Sequence, residues 1–315
     1  MVCHILDGLL ECGQNQSQTL HLFWFSRFLK AREQFRRLSV NFQFLDFQLH
    51  NINNKCRLVD NSLNSTDQLL LEVQNAVKST VAGKKIGIAF SGGVDSALIA
   101  KTCKNLSYEI TLLTIGFPGS HDIEFSKVVS EQLDIPHEIL EIQSDSFIET
   151  AEKIKNTIKT DNLSWNENCI AFYYVAKLAK ANDLTTVVTA NGIDELFCGY
   201  NSYREAIEAG EDRVMDMIDE KLKNENKMMI AVNNVTAEFG VKIIQPFLSA
   251  SFIDYAKKIP ISEKIHGPDD MKRKHAIRAL AMDYGVPEVA AQKQKKALQY
   301  GTQIHKSLLK SRKTS

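Results

Sequence analysis

The sequence predicts a doubly wound α/β protein, a parallel sheet covered by helices, with a helical carboxyl-terminal portion. Short apolar runs alternate with amphipathic helical stretches between residues 65 and 189, as βαβ units do. The first of them, Ile86 to Phe90, is a short continuous apolar run fit for a buried parallel strand. Beyond about Tyr200 the pattern is almost wholly helical, which reads as a helical appendage. No internal repeat is present.

Ser65-Thr66-Asp67 offers a helix start, and Leu69, Leu70, Val73, Ala76 and Val77 follow at helical spacing until Gly83. Ile86 to Phe90 reads as the first strand, Ser91-Gly92-Gly93 as a break, and Asp95 to Leu106 as helix. Ile110 to Ile115 is the second strand, followed by Gly116-Phe117-Pro118-Gly119-Ser120 and a helix from about Asp122 to Leu133. His137 to Ile142 is the third strand, two helices fill 144–182, and Thr186 to Thr189 is the fourth strand. Residues 1–60 differ: aromatic and basic, with Phe23-Trp24-Phe25 ahead of Phe28, Arg32, Phe35, Arg36 and Arg37. They read as an atypical extension, either a docking helix, ill-ordered, or not translated in the cell.

The 315 residues carry 38 basic and 38 acidic side chains, so no global charge favours nucleic acid. Six cysteines form no C-x-x-C pair, which argues against a structural zinc site and for reduced thiols in a cytoplasmic protein. No apolar run reaches about 18 residues, so no membrane span is expected.

The loop Ser91-Gly92-Gly93-Val94-Asp95-Ser96 follows a buried strand and opens a helix. Adjacent glycines can turn consecutive N–H groups to one concave face, and the helix adds its positive end, so a phosphate or pyrophosphate fits. Asp95 would repel bare phosphate but would suit a bridging Mg²⁺. Equally, the loop could be a tight turn with Asp95 as helix cap.

S-G-G-V-D-S resembles the pyrophosphate loop of the ATP pyrophosphatases, and it lacks Walker A spacing. Thr189-Ala190-Asn191-Gly192-Ile193-Asp194-Glu195-Leu196-Phe197-Cys198-Gly199-Tyr200 is similar to the S-G-E-G-S-D-E-[LV]-F-G-G-Y segment of asparagine synthetases. Gly240-Val241 through Pro246-Phe247-Leu248 to Phe252-Ile253-Asp254 resembles their G-V-E-x-R-x-P-F-L-D-x-x-F-L-D. Lys274-His275-x-x-Arg278, Gln294-Lys295 and Gly301 resemble their carboxyl-terminal motifs, and Gly116 to Asp122 their second-strand loop. The resemblance implies an adenine nucleotide alpha hydrolase-like, Rossmann-like domain over 61–302, with 303–315 left as a basic tail.

It also implies roles. Asp95 and Asp194 would hold Mg²⁺ on the pyrophosphate of ATP. The loop from Ser91 through Gly92 and Gly93 to Ser96 would cradle that group. The backbones of Phe90 and Ile115 would frame the adenine, and Thr189, Ala190 and Gly192 would meet the nucleotide. Lys295 would neutralise charge on phosphorus and departing pyrophosphate, although its run Lys293-Gln294-Lys295-Lys296 could be a solvated face. Asp194 could instead serve the first turn of a helix, Asp122 could cap or bind, and His275 is not promoted to catalyst.

Asn191 stands where the family places a glutamate that handles the ammonia adduct, and an amide cannot act as a carboxylate base. Ile244 and Ser249 replace an Arg and an Asp around Pro246-Phe247-Leu248. Residues 1–60 are too few for the family's glutaminase domain, so ammonia or a separate glutaminase subunit is the expected nitrogen source. The implied reaction adenylates a small, aspartate-like carboxylic acid and aminates it, releasing AMP and pyrophosphate. No nucleic-acid or membrane partner is expected, and a homodimer is admitted. Alternatives are a tRNA-modifying pyrophosphatase and a catalytically impaired nucleotide-binding paralogue.

Overall fold

Helix α1 (Ser65–Thr80) sets Leu69, Val73, Ala76 and Val77 on one buried stripe, the spacing of a helix with one covered face. The computed structural model describes residues 65–293 and 298–314. After α1 come β1 (Lys85–Ala89), α2 (Val94–Asn105), β2 (Glu109–Gly116), α3 (His121–Leu133) and β3 (His137–Glu141). Then follow α4 (Ser144–Ile158), α5 (Leu163–Ala181), β4 (Thr186–Val188), α6 (Ile193–Leu196), α7 (Ser202–Glu208) and α8 (Glu211–Thr236). The rest is β5 (Lys242–Ile244), α9 (Ala250–Lys258), α10 (His275–Asp283), α11 (Glu288–Gln292), α12 (Leu298–Gly301) and α13 (Ile304–Thr314).

The five strands form one parallel sheet in the order β3-β2-β1-β4-β5, the doubly wound arrangement read from the sequence. Ile86, Ile88, Ile110, Leu112 and Val188 point into one core, with α1, α2 and α9 against them. Leu113, Ile115, Val187 and Ile243 point into the other, with α4 and α5. Strands β2 and β4 thus feed both layers, as the period of two requires.

Three sequence readings need correction. Strand β5 was not anticipated: three residues are too few for a period, and only pairing with β4 (Val187↔Ile243, Val188↔Ile244) defines them. The helical portion beyond Tyr200 is no appendage either. Helix α8, 26 residues and about 39 Å long, gives Val214, Ile218 and Leu222 to the first core and Met228, Met229, Val232 and Val235 to the second. Periodicity reveals which stripe is apolar but not what covers it. Residues 303–315, read as a basic tail, include α13, whose Ile304 and Leu308 are buried in the second core. Residues 1–60 lie outside the described residues.

Cys103, Cys169 and Cys198 are buried free thiols, each pushed up to about 12 by burial. Among the described residues no helix is long and apolar enough to cross a membrane.

The chain reverses direction across the sheet between neighbouring β1 and β4, so the loops leaving their carboxyl ends diverge and open a crevice. His137 braces its floor. Its Nε2 lies 2.8 Å from Thr114 Oγ1, and that hydroxyl donates to the Phe90 carbonyl at 2.7 Å. On its other side Nδ1 lies 3.0 Å from Ser130 Oγ, whose hydroxyl donates to the Lys127 carbonyl at 2.9 Å. Burial, with Lys127 adding repulsion, lowers the imidazole from 6.5 to about 4. As pH falls, the unfolded chain binds this proton first, so stability present above pH 6.5 is lost as pH falls towards 4. Urea unfolding of His137→Gln between those pH values is expected to show a slope shallower by about one proton. An unchanged slope counts against this account.

Candidate active site

The loop after β1 is held open by its own hydroxyls. Ser96 Oγ donates to the Gly93 carbonyl at 3.1 Å and accepts from the Ser91 N–H at 3.4 Å. Gly92 has φ +75°, and a Cβ there would lie 2.9 Å from Phe125 Cδ1 and 3.2 Å from Ser126 Cα, so a side chain is excluded by conformation and by space. Gly93 precedes α2 with no side-chain cap, leaving the first N–H groups of the helix to a ligand. Asp95 therefore does not cap α2.

Its carboxylate turns to Lys274 instead. Lys274 Nζ lies 2.5 Å from Asp95 Oδ2 and 2.6 Å from Asp194 Oδ1, with the lysine side chain 2% exposed and the two aspartates 20% and 22%. The aspartates, 99 positions apart in sequence, thus meet at one ammonium because the loops after β1 and β4 share the crevice. Burial opposes the lysine charge, yet Asp194 and Asp95 outweigh it and hold the ammonium above its ordinary pKa. Two carboxylates converging at the pocket edge are hard oxygen donors of the kind that fit Mg²⁺, and the Lys274 ammonium stands between them.

Lys274 is reached through strain. Arg273 and Lys274 have φ +52° and +54°, two consecutive left-handed residues of the kind that survive only when over-determined. Asp270 accepts from the N–H groups of His266, Lys272 and Arg273 at 2.9–3.0 Å. Arg273 Nε donates to the Gly199 carbonyl, and Arg278 to the carbonyls of Arg273, Ala291 and Lys293. The Lys274-His275-x-x-Arg278 motif is therefore one device, in which Arg278 and the loop aim Lys274 between the aspartates. Sequence reasoning quoted that motif but gave Lys274 no role.

His266, Asp270 and His275 bring three metal-type ligand atoms within 4.8 Å of one another. The two imidazoles stack at 3.5 Å with planes 5° apart, so their in-plane lone pairs run parallel and do not converge on one ion. His275 Nε2 meets Asp270 at 2.7 Å. The cluster serves the loop.

A cavity of about 340 Å³ is lined by Phe90, Ser91, Gly93, Asp95, Ser96, Ile115, Thr189, Ala190, Asn191 and Asp194. Gly92 and Gly192, expected at the nucleotide, are not among its lining residues; the Gly192 N–H donates to Glu195 Oε2 at 3.1 Å. Asp122, buried beside His121 (Nδ1 to Oδ1 3.1 Å), also lines it. Lys295 lies outside the described residues.

The wall facing Asp194 comes from the middle of α8, which presents Lys221, Asn224, Glu225 and Met228. Lys221 Nζ sits 4.6 Å over the Tyr200 ring, and the Tyr200 hydroxyl donates to Glu195 Oε1 at 2.5 Å. Asn191 Nδ2 donates to Glu225 Oε1 at 2.6 Å, while the Thr189 hydroxyl donates to Asn191 Oδ1. None of the α8 residues was anticipated, because a polar i, i+3, i+4 stripe reads as solvent face until the fold covers it. Ile244 and Ser249 do not line the cavity: Ile244 sits in β5, and Ser249 starts α9.

The family model described as asparagine synthase matches residues 68–238 and 210–313. A putative asparagine synthetase (glutamine-hydrolyzing) of Methanocaldococcus jannaschii is 27% identical over 337 residues, 97% of this chain and 59% of the relative. That alignment takes in most of residues 1–60. Asparagine synthetase (glutamine-hydrolyzing) of Gallus gallus is 28% identical over 65% of this chain and 37% of its own length. Asparagine synthetase B (glutamine-hydrolyzing) of Escherichia coli K12 is 23% identical over 77% of this chain and 46% of its own. The chain thus spans 37–59% of these relatives' lengths.

Proposed function

The chain belongs to the asparagine synthase family, and from that premise we propose that it is an ATP-dependent amide-forming ligase that adenylates a small carboxylic acid, aspartate first among candidates, and releases AMP and pyrophosphate. The observation that carries this reading is the meeting of Asp95 and Asp194 at one point beside the Ser91–Ser96 loop. The loop and the amino end of α2 receive the pyrophosphate portion of ATP, and Phe90, Ile115, Thr189 and Ala190 form the nucleotide wall. Mg²⁺ held by Asp95 and Asp194 would supply charge neutralisation on that portion. Lys274 keeps the two carboxylates ionised and in register, and Lys295 takes the electrostatic role at the reacting phosphorus. The acid carboxylate attacks the α-phosphorus, and nitrogen then displaces AMP. Positioning and charge neutralisation provide most of the acceleration.

The test is incubation of the full chain with ATP, Mg²⁺, a panel of carboxylic acids and ammonia or glutamine, reading AMP, pyrophosphate and new amide by mass spectrometry. Pyrophosphate with one acid and an amide of that acid are the expected result. No pyrophosphate with any acid overturns the reading, and ATP binding without AMP would leave a nucleotide-binding paralogue.

A further inference from the structure

Resting on that ligase reading, we infer that Glu225 is the proton acceptor of the nitrogen-transfer step, and that Asn191 positions it. Position 191 carries an amide, which takes up no proton at neutral pH. Glu225 reaches the same point from α8, 34 residues on, with its Oε1 2.6 Å from Asn191 Nδ2. Asn191 Oδ1 accepts from the Thr189 hydroxyl, which leaves its Nδ2 to donate to Glu225. Glu225 is buried at 5% exposure, yet it faces the cavity beside Lys221 and Asn224. A buried glutamate on a helix whose flanking turns pack Leu222 and Met229 into two cores has little packing reason to be charged.

In the step, the nitrogen lone pair forms a C–N bond to the acyl carbon of the acyl-adenylate. The bond from that carbon to the phosphate oxygen breaks, and AMP leaves with its electron pair. One proton passes from the attacking nitrogen to the Glu225 carboxylate, which returns it to solvent.

The experiment uses the full chain with ATP, Mg²⁺, ammonium chloride and the acid that yields the most pyrophosphate, following pyrophosphate and amide separately. In the first turnover Glu225→Gln is expected to release its burst of pyrophosphate within about threefold of the wild-type rate, while amide formation falls about 100-fold or more, the range for a lost general base. The charge-relocated double variant Asn191→Glu/Glu225→Gln is expected to recover amide formation at least tenfold over Glu225→Gln. Wild-type amide yield in Glu225→Gln overturns the assignment, as does loss of the first-turnover pyrophosphate burst along with the amide. If Glu225→Gln does not fold, the double variant decides: amide formation supports the relocated carboxylate, and pyrophosphate without amide overturns it. Absence of pyrophosphate from the wild type instead overturns the ligase reading, and this assignment with it.

Discussion

Lys274→Met is expected to lose about 3–5 kcal/mol of folding stability and all measurable pyrophosphate release. Methionine fills a similar volume but removes the ammonium 2.5 and 2.6 Å from Asp95 and Asp194. Two carboxylates then face each other with their shared buried cation gone, and breaking a buried ion cluster from one side costs that much. The repulsion also moves both side chains from the positions that would bind ligand. Urea unfolding at pH 7 measures the loss. Millimolar Mg²⁺ is expected to restore part of the variant's melting temperature and to change the wild type much less, because the two carboxylates then share a divalent ion. An unchanged melting temperature on substitution, or no Mg²⁺ response in the variant, would show that the aspartates do not form a cation site.

Gly199→Ala tests the same cluster from its other side. A Cβ at Gly199 would fall onto Asp194 Oδ1 and come within 2.5 Å of Lys274 Cε and 2.8 Å of Asp194 Cγ. Neither side chain can retreat, since both are tied to each other and Gly199 N–H already donates to the Asp194 carbonyl at 2.8 Å. The expected cost is about 1–3 kcal/mol from overpacking, with pyrophosphate release down about 100-fold as Asp194 is displaced. Gly93→Ala, where the added carbon meets only Ser91 Oγ at 3.5 Å, is the stability control. Equal melting temperatures for the two variants would refute the steric argument.

Much of this was legible before any coordinates. The continuous apolar run identifies β1, because a strand covered on both faces has no polar side to alternate, and the alternation with helices identifies the next three. Ser91 to Ser96 was legible from adjacent glycines ahead of a helix, and Thr189 to Tyr200 from its resemblance to the asparagine synthetase segment. Lys274 escaped notice because its value lies in what it touches, and its partners sit 179 and 80 positions away. Strand β5 escaped because three residues carry no period.

What the sequence by itself determined is the alternation of strands and helices and the residue types at the ends of β1 and β4, since both follow from local spacing and backbone geometry. Only the tertiary structure decided that Lys274 stands between Asp95 and Asp194 and that Glu225 meets Asn191. Those pairings arise from the reversal of chain direction at the β1/β4 boundary and from α8 bridging both cores. Burial by distant elements converts an ordinary polar stripe into a cavity wall.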